Sequence, residues 1–147
     1  MATASISETI NAPVETVFGV ITNYESYPEF LSETKDARVI EGSGDTKLVE
    51  FEIDLVRKIS YRLKMSETPN SKIRWKLDSG SIFKKNSGGW DLVDEGGKTR
   101  VKYFVDIEFK FLVPSLITKR LVGANLPSMI KSFKKRAEAL NSQGGKS

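Results

Sequence analysis

Val49-Glu50-Phe51-Glu52-Ile53-Asp54-Leu55 and Lys58-Ile59-Ser60-Tyr61-Arg62-Leu63-Lys64-Met65 alternate apolar and polar residues one for one. Successive side chains of a β-strand point to opposite faces, so each run collects its apolar members on one side and its charges on the other. The two runs are two residues apart, Val56 and Arg57, which reads as a hairpin. Outward from this hairpin the same period recurs in Ile73, Trp75 and Leu77, and again in Val101, Tyr103, Val105, Ile107 and Phe109. Phe104 is the exception in the last run. Turn chemistry separates the runs, at Gly42-Ser43-Gly44-Asp45, Thr68-Pro69-Asn70-Ser71, Asp78-Ser79-Gly80-Ser81 and Glu95-Gly96-Gly97-Lys98. With Thr3–Ile10, Lys35–Glu41 and Ile82–Val93 added, the pattern predicts a curved antiparallel sheet of about seven strands with one wet face.

The period is helical in two other places. After Asn11-Ala12-Pro13, a start signal with proline in the first turn, Val14, Val17, Phe18 and Ile21 follow at helical spacing. Glu25–Leu31 reads as a second short helix or turn. Beyond Pro114-Ser115, Ile117, Leu121, Val122, Leu126, Met129, Ile130, Phe133, Ala137 and Leu140 form a wide apolar stripe. A helix over 114–140 would be roughly 40 Å long, with Pro127 expected to kink or divide it. The class is α+β: a sheet around a long C-terminal helix, with two short helices after the first strand. Residues 1–140 read as one domain and 141–147 as a disordered tail.

Composition narrows the chemistry. The 147 residues are 39% hydrophobic and 29% charged, with no cysteine and no histidine. Disulfides, thiolate nucleophiles, zinc fingers and imidazole chemistry are therefore excluded, and no metal site can be assembled from the pattern. Carboxylates remain as acid–base candidates, but Glu50, Glu52, Asp54, Asp106 and Glu108 fall on the wet faces of their strands. No catalytic residue is assigned, no cofactor is implied, and a binding module is expected rather than an enzyme. No apolar run approaches the roughly 18 residues of a membrane span and no leader pattern opens the chain, so a cytoplasmic location is expected.

Charge is unevenly placed. Residues 1–109 carry 15 basic and 18 acidic groups, whereas residues 110–147 carry eight basic groups against Glu138 alone. Such a basic segment fits a solvated helix face, or a surface for RNA, anionic lipid or an acidic partner.

The segments Pro13-Val14-Glu15-Thr16-Val17-Phe18 and Asn23-Tyr24-Glu25-Ser26-Tyr27-Pro28-Glu29-Phe30-Leu31 carry a resemblance. So do Phe83, Gly89-Trp90, Thr99-Arg100-Val101, Ile107-Glu108-Phe109-Lys110-Phe111, and Met129, Phe133 and Arg136. The chain resembles the START-like (SRPBCC; polyketide cyclase/dehydrase and lipid transport) superfamily over about residues 2–140. It is most similar to the coenzyme Q-binding branch, which includes proteins described as ribosome association toxins. It departs from the usual pattern at Asn23, where aspartate is common, and at Pro127.

The resemblance implies a helix-grip fold with a cavity between sheet and helix for a hydrophobic molecule, a polyprenyl quinone or other lipid, carried rather than transformed. The inward stripe offers Phe51, Tyr61, Met65, Trp75, Tyr103, Met129 and Phe133 as ligand-binding residues, apolar in bulk with a few polar tips. The same residues would also fill a solid core. By analogy with the fold, Tyr24, Tyr27, Phe30, Phe83, Phe111 and Leu112 are expected at the cavity mouth, beside a segment suited to transient contact with an anionic membrane. The first alternative is a ribosome- or RNA-associated protein using the basic face of Lys131, Lys134 and Lys135. The second is a polyketide aromatase/cyclase-like enzyme. No DNA partner is expected.

Overall fold

The structure is a computed structural model that describes residues 2–55, 57–80, 82–122 and 126–144. Strand β1 (Ala2–Ile10) leads into helix α1 (Val14–Thr22) and a 3-10 turn (Tyr24–Glu29). Six strands follow: β2 (Thr34–Ser43), β3 (Thr46–Leu55), β4 (Arg57–Thr68), β5 (Lys72–Gly80), β6 (Phe83–Asp94) and β7 (Thr99–Phe109). Helices α2 (Ser115–Val122) and α3 (Leu126–Gly144) close the chain. The expected α+β arrangement, a seven-stranded antiparallel sheet with the C-terminal helical region against it, is the one observed.

The strand order is β1-β7-β6-β5-β4-β3-β2, so only β1 enters out of sequence, pairing with β7 from Ala2↔Ile107 to Ile10↔Thr99. In that order β1 and β3 are separated by four strands, roughly 24 Å in a flat sheet. Both nevertheless contact α2, a helix only about 10 Å across. The sheet must therefore curl around its helices. Irregularities in register at Thr34/Asp36, Val39/Glu41, Arg62/Leu63 and Phe83/Lys85 help it bend.

The core lies on the concave side. Ile10, Val49, Ile59, Ile73, Phe83 and Val101 from the sheet are almost wholly enclosed, as are Val17 and Ile21 of α1 and Ile117 and Ile130 of the C-terminal helices. The convex face carries the charges that alternation placed there. Glu50 accepts hydrogen bonds from Arg62, at 3.0 Å, and from Arg38, and these hold its carboxyl below the usual carboxylate range. Arg74 stacks over Phe104, the residue that broke the alternation, and pairs with Asp91 at 2.6 Å.

Three local expectations need adjustment. Pro13 occupies the N-cap of α1 rather than its first turn, because the carbonyl of Pro13 already accepts from Val17 N–H. The C-terminal stripe is carried by two helical segments, with Pro127 as the second residue of α3, where its missing N–H costs nothing; residues 123–125 lie outside the described residues. Helix α3 also runs past Leu140 to Gly144, so the first residues of the expected disordered tail are helical, and Asn141 Nδ2 donates to the Asn11 carbonyl at 3.3 Å. Residues 145–147 are outside the described set. Among the described residues no helix is long and apolar enough to cross a membrane.

Candidate functional site

A cavity of about 190 Å³ lies between the concave face and the C-terminal helices. The seven side chains that alternation and helical spacing assigned to the interior, Phe51, Tyr61, Met65, Trp75, Tyr103, Met129 and Phe133, all line it. Strands β3, β4, β5 and β7 deliver the first five because those positions share one parity; Met129 and Phe133 are one helical turn apart on α3.

The lining is continuously aromatic. Tyr61 stacks on Phe51 with centroids 5.6 Å apart, and Phe51 lies 6.0 Å from Tyr27. Tyr27 meets Phe133 edge-on at 5.3 Å, Phe133 meets Trp90 at 5.0 Å, Trp90 meets Tyr103 at 5.0 Å, and Tyr103 meets Trp75 at 5.6 Å. These edge and tilted contacts lock the rings against one another, so the walls are set by packing before anything binds.

Four polar tips enter this apolar space. Trp75 Nε1 donates to Oδ1 of the buried Asn86 at 3.2 Å. The Tyr27 hydroxyl donates to the Ile21 carbonyl. The hydroxyls of Tyr61 and Tyr103 have no hydrogen-bond partner among the described residues, although both rings border the cavity. Burial pushes the pKa of both well above the ordinary tyrosine value, so each remains a neutral donor. Both residues line the cavity, so an acceptor on a ligand lying there would give each hydroxyl a partner.

The expected mouth is corrected in most of its parts. Tyr27 lines the cavity. Tyr24 does not: it is buried, with its hydroxyl donating to Glu67 Oε2 at 2.6 Å, while Lys47 Nζ holds both oxygens of that carboxylate at 3.1 Å. Phe83 is fully enclosed between Tyr61 and Phe109. Phe30 packs on Tyr27 and Phe133 under the Arg136 guanidinium. Phe111 and Leu112 stand exposed on the β7–α2 loop. The cavity opens instead past a polar rim of Ser32, Glu33 and Thr34 at the start of β2, Arg120 on α2, and Ser128 and Ser132 on α3. Arg120 Nη1 and Glu33 Oε1 pair across it at 3.1 Å.

Sequence reasoning also missed Trp90 and Asn86. Both lie on β6, where Gly88 and Gly89 contribute no side chain and the shift between Phe83 and Lys85 breaks the period. Parity read backward from Trp90 and Leu92 would have turned Asn86 inward. The basic set is partly spent on the fold itself: Lys134 pairs with Glu8 at 3.4 Å, whereas Lys131 and Lys135 are exposed. Among the described residues, no cluster of three acidic side chains is placed to hold a metal ion, and Glu33 is the one carboxylate at the cavity.

A family model described as polyketide cyclase/dehydrase and lipid transport matches residues 10–134. Among solved structures, a START superfamily protein from Mycobacterium smegmatis matches with a TM-score of 0.82 at 21% identity, over 95% of this chain and 99% of that one. A protein from Thermus thermophilus matches with a TM-score of 0.80 at 20% identity, over 94% and 98%. The Zhui aromatase/cyclase from Streptomyces sp. R1128 matches with a TM-score of 0.69 at 15% identity, over 93% and 86%. At these identities the likeness is one of fold.

Proposed function

The chain belongs to the polyketide cyclase/dehydrase and lipid transport family, and on that premise we propose that it binds a compact, ring-bearing hydrophobic molecule in this cavity and carries it without transforming it. The observation that supports this most directly is the pair of neutral hydroxyls of Tyr61 and Tyr103, without a partner among the described residues, in a cavity walled by packed aromatic rings. A planar ligand with carbonyl or ether oxygens would stack on those rings and accept from the hydroxyls, as a quinone head group would. The 190 Å³ of space is below the roughly 300–1,000 Å³ of pockets that enclose drug-sized ligands. A ring system fits that volume, and a long prenyl chain would leave through the rim.

The aromatase/cyclase reading shares the protonated tyrosines, which would serve as proton donors to a substrate carbonyl. Proton abstraction needs a base as well. The described lining offers only Glu33, at the rim and already paired with Arg120. Carriage is therefore the favoured reading. Organic extraction of the purified chain, analysed by mass spectrometry beside a mock purification, tests it: a stoichiometric aromatic or quinone-like compound is expected. A clean extract, together with no binding of simple quinones on titration, would overturn it.

A further inference from the structure

We infer that the β7–α2 loop and the outer face of α2 form a docking surface for an anionic lipid bilayer, through which the cavity receives or releases its occupant. Phe111, Leu112 and Leu116 are 52%, 100% and 45% exposed and fall within six residues of one another. An apolar cluster of this kind, left in water, marks an interaction surface.

Geometry ties the cluster to the opening. On α2, Ile117 is buried and Leu121 lines the cavity, whereas Leu116, Lys119 and Arg120 are on the exposed side. Positions three and four apart share a helix face, so Leu116, Lys119 and Arg120 form one outward stripe that ends at the rim. One helix thus covers the cavity with its inner face and presents leucine and basic residues outward.

Charge selects the partner. From Lys110 to Ala137 the chain contains no acidic residue. Lys110 and Lys119 have no ion-pair partner among the described residues. Apolar side chains interleaved with lysine and arginine on a short exposed helix suit an interface where the apolar groups enter the acyl boundary and the cations meet anionic head groups. Among Lys110, Lys119 and Arg120 one exposed ring, Phe111, stands beside two exposed leucines, where base stacking would call for a series of rings, which favours lipid over RNA.

The inference rests on the carrier reading, and its test separates the two. The 147-residue chain is floated with vesicles of mixed phosphatidylcholine and phosphatidylglycerol, with pure phosphatidylcholine vesicles as control. Wild type should partition to the anionic vesicles and lose binding in high salt. Leu112→Ser, at a fully exposed side chain, should weaken partitioning by about tenfold or more without touching the core. Lys110→Gln with Lys119→Gln should weaken it by roughly fivefold per lysine. Absence of wild-type binding, or binding indifferent to both variants, overturns the inference. So does self-association that Leu112→Ser abolishes, which would assign the patch to a second copy of the chain. Extracts of the same preparations report the cavity separately: cargo without vesicle binding removes the docking surface alone, and vesicle binding without cargo removes the carrier reading alone.

Discussion

The indole of Trp75 and the side-chain carbonyl of Asn86 are joined at 3.2 Å just beyond the point where β5 and β6 cease to pair. The ladder between these strands runs only from Lys72↔Asp91 to Trp75↔Gly88, although both strands continue past it. The side-chain bond therefore takes over where backbone pairing stops. It also fixes the orientation of a ring that forms part of the cavity wall.

Replacing Asn86 with leucine leaves the Trp75 N–H without its acceptor, and a loss of about 1–3 kcal/mol in unfolding free energy is expected. Combining Asn86→Leu with Trp75→Phe removes donor and acceptor together. The double variant should lose less than the sum of the two single changes in a denaturant-based cycle. Strict additivity would mean the bond contributes nothing.

Gly88 lies opposite Trp75, and a Cβ there would sit 2.2 Å from the Phe104 carbonyl oxygen and 2.7 Å from the indole Cζ2. Backbone cannot yield to a methyl group as a flexible side chain can. Gly88→Ala should destabilise by about 1–3 kcal/mol and alter the near-ultraviolet dichroism of the tryptophans. Wild-type stability in this variant would show that β6 has freedom the packing denies.

Tyr24, Glu67 and Lys47 form a polar trio behind the cavity wall, with the Tyr24 ring edge-on to Phe51 at 6.5 Å. Hydrogen bonds to a charged group contribute more than neutral ones, so Tyr24→Phe should cost about 1.5–3 kcal/mol. Equilibrium urea denaturation measures it. A change below about 0.5 kcal/mol would leave the trio as packing without energetic weight.

All four tyrosines of the chain, Tyr24, Tyr27, Tyr61 and Tyr103, have their pKa raised, first of all by burial. The folded state thus keeps protons that the unfolded state gives up above pH about 10. By linkage, stability is fully present below that pH and falls as pH rises beyond it, by about 1.4 kcal/mol per tyrosine one unit above. In an alkaline titration the tyrosinate absorbance should stay absent near pH 10 and then rise together with unfolding. A gradual rise at pH 10 in the folded protein would place at least one hydroxyl in water.

Tyr61→Phe and Tyr103→Phe separate the two roles of these residues. Each removes a cavity-lining hydroxyl that has no partner among the described residues, so stability of the empty protein should change by less than about 0.5 kcal/mol. Affinity for the extracted molecule, or for a simple quinone, should fall roughly two- to tenfold by fluorescence titration. Loss of stability with unchanged affinity would reverse the assignment.

Sequence by itself determined the sheet, the order of its elements and the inward face. Period-two alternation binds each side chain of a strand to one face, and Phe51, Tyr61, Met65, Trp75 and Tyr103 followed from parity alone. Helical spacing did the same for Met129 and Phe133. The opening of the cavity was decided only by the tertiary structure. Ser32, Glu33, Arg120, Ser128 and Ser132 come from separate segments and share no period, so their meeting depends on how far the sheet curls around the helices. Phe83 and Leu112 show the same limit from opposite ends. Both are large and apolar near strand termini, yet Phe83 is wholly buried and Leu112 wholly exposed, because burial there depends on which distant element arrives to cover the site.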